Sequence, residues 1–204
     1  MAVTDETLRP QQPMDERADI DSVEWLFEPD WPGPRCIARV AGDSLRLTDA
    51  TGAPIDDWPL ADAIARVLMA RSATLDGVLT ERGSVDVDGR ARAAFVATDL
   101  LELDGAALLD VPFQERRRLL ESVVAADSAV RVGPIVKQPV ARWFPGWREA
   151  GFTHYLARHQ NARSHPGQRS DDWLRIPLEG PAAAPGLVQR LIGSRSGGVK
   201  RIHD

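Results

Sequence analysis

Residues 29–34 read Pro29-Asp30-Trp31-Pro32-Gly33-Pro34. Proline lacks an amide N–H and holds φ near about −65°, so neither a helix nor an interior strand can pass through this segment. It must be a loop. Val23–Glu28 enters it with the composition of a short strand. Beyond it, Cys36, Ala38 and Val40 alternate with Arg35, Ile37 and Arg39. Ala41-Gly42-Asp43 supplies a turn, and Leu45 and Leu47 alternate on the return, so the stretch predicts a hairpin. A chain built around a strand, an enforced loop and a hairpin must bury a sheet, which excludes an all-helical fold.

The remaining periodicities mix both element types. Leu60, Ala63, Ile64, Val67 and Leu68 recur at helical spacing after Asp56-Asp57 and Pro59, which are start signals. Ala73–Thr80 and Ala93–Leu101 read as strands, and Phe113–Val124 as a helix opening at Pro112. Val130–Val136 predicts another strand, and Ala141–Ala150 a helix interrupted at Pro145-Gly146. Phe152–Arg158 and Trp173–Ile176 predict two last strands. Strands and helices without regular βαβ alternation give an α+β class. Residues 1–21, with Pro10 and Pro13 and no apolar periodicity, read as an extended arm. Residues 22–178 form the folded domain, and 179–204 a basic Pro/Gly-rich tail.

At 204 residues and 43% apolar content, the chain can bury a substantial core. The single Cys36 excludes a disulfide framework and a multi-cysteine metal site. With an acidic N-terminus unlike an export signal and no apolar run of membrane-spanning length, it points to a cytoplasmic protein with no membrane partner. Of 25 basic residues only Lys137 and Lys200 are lysines. Chemistry that needs an amine nucleophile has those two candidates, because arginine does not deprotonate in proteins. Residues 1–130 carry 13 basic and 25 acidic side chains, and residues 131–204 carry 12 and 5. The basic C-terminal third leaves room for weak nucleic-acid contact.

Five segments in order, spanning about residues 21–178, resemble the adenylation domain of ATP-dependent DNA ligases. The family's Glu-x-Lys-x-Asp-Gly-x-Arg corresponds to Glu28-Pro29-Asp30-Trp31-Pro32-Gly33-Pro34-Arg35. Its Leu-Asp-Gly-Glu corresponds to Leu75-Asp76-Gly77-Val78. Its Phe-Asp-Leu-Leu, Leu-Asp-Gly and Pro-x-x-x-Arg-Arg run corresponds to Thr98-Asp99-Leu100-Leu101, Leu103-Asp104-Gly105, and Pro112 with Arg116-Arg117. Its Glu-Gly pair and following lysine correspond to Thr153-His154 and Arg158. Its Pro-Gly-x-Arg-Ser-x-x-Trp-Leu-Lys-x-Lys corresponds to Pro166-Gly167-Gln168-Arg169-Ser170-Asp171-Asp172-Trp173-Leu174-Arg175-Ile176-Pro177. The resemblance implies a nucleotidyltransferase (ATP-grasp-like) fold, with antiparallel sheets flanked by helices around a nucleotide cleft and no OB-fold domain in this chain. It also implies a vestigial nucleotide-binding set of Glu28, Arg35, Asp99, Arg158 and Arg175.

The departures fall on the chemistry. The family's lysine attacks the α-phosphate of ATP as an amine, with a divalent metal offsetting charge. Asp30 occupies that position. At an effective dielectric of about 20, a unit charge pair about 4 Å apart is worth roughly 4 kcal/mol, so a carboxylate there turns attraction into repulsion. Val78 replaces the metal-associated acid and Thr98 the aromatic expected against adenine. The resemblance therefore implies a pseudoenzyme with no catalytic residue and no metal. It would act as a binding or interaction protein linked to DNA repair, with a protein partner. The alternative is a diverged nucleotidyltransferase or ligase that holds ATP or another nucleotide non-covalently and uses another nucleophile.

Other signals support less. His154, His159 and His165 lack metal-ligand spacing and read as a solvated basic loop region. No phosphate loop or hydrolase elbow occurs. Cys36 reads as a core filler. Trp143-Phe144-Pro145-Gly146-Trp147 reads as local core or as an exposed binding patch.

Overall fold

The computed structural model describes residues 8–178 apart from 18, 43, 57, 82–93 and 126. The expected tail at 179–204 and the first seven residues of the expected arm lie outside the described residues, as do Asp43 of the hairpin turn and Asp57 of the helix start. In chain order the elements are β1 (Gln12–Asp15), β2 (Trp25–Pro29), β3 (Arg35–Ala41), β4 (Ser44–Asp49), α1 (Trp58–Val67), β5 (Ser72–Thr80), β6 (Ala94–Leu103) and β7 (Ala106–Ala107). They continue with α2 (Phe113–Val123), β8 (Val130–Val132), a short 3₁₀ helix (Val140–Trp143), α3 (Phe144–Glu149), β9 (His154–His159) and β10 (Arg169–Pro177).

The strands form two sheets. One has the order β1-β10-β9-β2; the other runs β4-β3-β5-β6-β7, with β8 also against β6. Most neighbours are antiparallel, but the sheets are mixed, since β1 runs parallel to β10 and β8 parallel to β6. The second exception follows from connectivity. The chain leaves β6, crosses through α2 and returns, and such a helical crossover is what parallel pairing requires. Residues 12–15 of the expected arm are thus a strand of the first sheet.

The core lies on the second sheet. Leu60, Ala63, Ile64 and Val67, one stripe of α1, bury against Leu47, Leu75, Leu100 and Val130. β6 is buried along most of its length, as an apolar run covered on both faces should be. A smaller core of Phe27, Phe144, Trp147, Tyr155 and Ile176 supports the first sheet.

Two expected elements differ. The strand from Val130 stops at Val132, because Gly133 and Pro134 end the ladder; Val136 instead exchanges backbone hydrogen bonds with Phe27 at 2.8 and 2.9 Å. The helix over 141–150 is not broken at Pro145. That residue sits in the first turn of α3, where its missing N–H costs nothing, and the change of helix type falls one residue earlier. The enforced loop begins at Asp30 rather than Pro29, because Pro29 closes the edge strand β2 opposite Tyr155; it packs on β5, with Leu79 N–H donating to Pro34 O at 2.9 Å. Gly33 has φ +139°, and a Cβ there would lie 1.8 Å from the Leu79 carbonyl oxygen, so only glycine fits.

Candidate functional site

The two sheets meet around a cavity of about 180 Å³. The first sheet and its loop contribute Gln12, Pro13, Asp30, Leu156 and Arg175, and the second contributes Arg35, Val78 and Thr98. Residues far apart in sequence thus share one cleft: Arg35 and Arg175 of the expected set, with Asp30 at the expected nucleophile position, whereas Glu28, Asp99 and Arg158 do not line it. Its volume is below the roughly 300–1,000 Å³ of ordinary ligand pockets.

Asp30 caps the end of β2, with its N–H donating to His154 O at 3.1 Å. Arg175 Nε donates to Asp30 Oδ2 at 2.7 Å, and Arg175 Nη1 lies 3.6 Å from Asp15 Oδ1 on β1. The guanidinium therefore faces two carboxylates of its own chain. Arg35, at the start of β3, reaches the buried Asp76 on the adjacent β5, with Nη2 2.6 Å from Oδ1 in an ion pair that lacks hydrogen-bond alignment. Its guanidinium carbon lies 4.9 Å from the centre of the Trp173 ring. Asp76 lies within β5, in the Leu75-Asp76-Gly77 segment, and is outside the site set that the resemblance implies. A charged residue at an inward position of a buried strand demands a counter-charge, and that was the available signal.

Asp99 is the hub. Its carboxylate accepts from Arg116 Nε at 2.8 Å, Arg116 Nη2 at 2.7 Å, Arg158 Nη1 at 2.7 Å and the Leu100 N–H at 2.8 Å. Burial pushes its pKa up, but the charges of Arg116 and Arg158 and these hydrogen bonds outweigh it and hold the carboxyl below the usual range. Arg158 is 3% exposed and faces inward, with its charge matched by Asp99. Arg116 also donates to Val111 O and Ala162 O, which ties α2 to the loop after β9.

Glu28 is also buried, so its pKa is raised by desolvation against the pull of Arg158, Arg117 and Arg35. Glu28 Oε2, Trp31 Nε1 and Arg117 Nη1 are buried without a hydrogen-bond partner. The first two approach Gly133, where a Cβ would lie 3.5 Å from Glu28 Oε2 and 3.4 Å from Trp31 Nε1. Val78 and Thr98 are buried, and Thr98 Oγ1 donates to Asp76 O at 3.2 Å.

The three histidines are not brought together. His154 and His159 stand at opposite ends of β9, and His165 lies in the following loop. Among the described residues no group of three or more His, Cys, Asp or Glu is placed to hold a metal ion. Lys137 does not line the cleft, and Lys200 lies outside the described residues. No described helix is long and apolar enough to cross a membrane.

No protein-family model matches the chain. The multifunctional non-homologous end joining DNA repair protein LigD of Mycobacterium tuberculosis is 32% identical over 168 residues, covering 78% of this chain and 22% of that protein. A DNA ligase of Methanothrix thermoacetophila is 36% identical over 212 residues, covering 88% of this chain and 35% of that protein. The chain thus spans between about a fifth and a third of the length of these relatives. The crystal structure of the ligase domain of M. tuberculosis LigD superposes with a TM-score of 0.69 at 27% identity, covering 82% of this chain and 58% of that one. By sequence and by fold, the chain's homologues are ATP-dependent DNA ligases, and it belongs with the adenylation domain of that family.

Proposed function

We propose that this chain is a DNA ligase-like domain that does not adenylate and acts as a binding protein in DNA repair. The observation that carries this reading is the Asp30–Arg175 pair. The first residue stands where the resemblance places the nucleophilic lysine, and the second where it places a phosphate-binding lysine. Their 2.7 Å contact removes an amine and engages a cation in one step.

The other candidate phosphate ligands are engaged as well, Arg35 by Asp76 and Arg158 by Asp99. A nucleoside triphosphate poised for adenyl transfer does not fit these residues. Its phosphates would face Asp30, the remaining cavity of about 180 Å³ is small, and Val78 offers no metal ligand. The relatives' names support the link to repair, since LigD is described as a non-homologous end joining DNA repair protein. A domain that keeps the fold while its cleft is closed by internal ion pairs retains surfaces, and surfaces bind partners.

The test is direct. Purified protein incubated with ATP labelled on the α-phosphate, with Mg²⁺ or Mn²⁺, acquires no label that survives denaturation and mild alkali and is released by acid, the behaviour of an amine-linked phosphoramidate. Stoichiometric labelling would overturn the reading.

A further inference from the structure

From Ser128 to Arg148 the sequence holds Arg131, Lys137, Arg142 and Arg148 and no acidic residue, in a chain of net charge −5. Part of this stretch folds into an open groove of about 710 Å³ away from the cleft. Ile135 and Val136 form one wall, and Trp143 and Trp147 line it from the 3₁₀ helix and α3. Lys137 and Arg142 stand exposed at its edge, and no acidic side chain lines it. Trp147 is buried in the small core, but Trp143 is 47% exposed, an unusual position for so large an apolar ring.

We propose that this groove binds single-stranded DNA, with a base stacked on Trp143 and backbone phosphates at Lys137 and Arg142. An aromatic face beside cations is the arrangement that holds single strands without reading sequence. An extended peptide is a poorer match. The Val136 N–H and C=O are already bonded to Phe27, and Pro134 has no N–H, so this stretch of the groove wall has few backbone groups left to pair with an added strand. The inference names the partner for the binding role proposed above and rests on that reading.

Fluorescence anisotropy of a labelled 12-nucleotide oligo(dT) tests it, with the full chain at low and moderate salt. Wild-type protein binds, Trp143→Ala weakens binding roughly 5- to 150-fold, and Trp143→Phe restores much of it. Lys137→Ala combined with Arg142→Ala lowers the dependence of log affinity on log salt by about 1.4, as expected for two lost phosphate contacts. Circular dichroism confirms that each variant is folded. No binding of oligo(dT), wild-type affinity in all the variants, or displacement only by poly-glutamate would overturn the proposal. The two readings fail separately. Loss of the Trp143 effect leaves the adenylation result untouched, and an adenylyl label leaves the groove measurement standing.

Discussion

Arg158 lies with its guanidinium carbon 3.7 Å from the centre of the Trp173 ring and 4.4 Å from that of Phe113, so two aromatic faces flank one buried cation. Its Nη1 meets Asp99 at 2.7 Å. A planar guanidinium can stack and donate in plane at once, whereas a compact ammonium cannot. Arg158→Lys, although it installs the residue type that the family resemblance places there, should cost about 1–3 kcal/mol of stability. Arg158→Met, which leaves Asp99 short of a partner, should cost about 3–5 kcal/mol. Urea unfolding followed by far-ultraviolet circular dichroism measures both; an Arg158→Lys protein as stable as wild type would contradict the stacking argument.

The buried carboxylates respond to pH in opposite directions. Asp99 has its folded pKa depressed, so its contribution is present above the unfolded value of about 3.9 and is lost as pH falls through the folded value. Glu28 has its folded pKa raised, chiefly by burial, so its contribution is present below about 4.3 and is lost as pH rises through the folded value. Glu28→Gln therefore gains stability relative to wild type as pH rises from 4 to 8. Urea midpoints across that range check the sign, and a difference independent of pH would contradict it.

Restoring the lysine should not restore the reaction. Asp30→Lys sets an ammonium against Arg175, which then keeps only Asp15 at 3.6 Å, and leaves Val78 and Thr98 unchanged. The half-exposed Asp30–Arg175 pair is itself worth at most about 1 kcal/mol, so the variant should fold. Incubated with α-labelled ATP and Mg²⁺, it stays unlabelled. Labelling at wild-type ligase levels would show that this one position carried the whole loss.

Gly33 is fixed by both its φ of +139° and the 1.8 Å approach of a built Cβ to Leu79 O. Gly33→Ala must displace the loop from β5, and a cost of about 1–3 kcal/mol or more is expected. A lowered urea midpoint at unchanged slope is the expected outcome.

Much of this was legible in the sequence because local chemistry decided it. Prolines 32 and 34 force the loop after β2, alternation marks β3, and the helical stripe of Leu60 to Val67 marks α1. The strand pairings were less legible. β1 reaches β10 across most of the chain, a long-range contact that no local pattern encodes. The cleft was half legible. The positions of Asp30, Arg35 and Arg175 followed from motif spacing, but their pairing with one another and with Asp76 depends on how two sheets face each other. Asp99 and Arg158 were expected to line a nucleotide site; the fold instead buries both in an internal network with Arg116.

Cys36 gives a clean probe of the core because it is the chain's single cysteine. It is fully buried on β3, and its thiol is pushed up to about 12 by burial first and then by the charge of Asp76, with Arg35 opposing. At pH 8 such a thiol is about one part in ten thousand thiolate, and the thiolate is the form that attacks disulfide reagents. Native protein should therefore release no colour from Ellman's reagent on the timescale of minutes, and denatured protein should release one equivalent. Slow labelling in the native state would report opening of the β3–β5 pairing. Rapid stoichiometric labelling without denaturant would show that this strand is not held as the hydrogen-bond register implies.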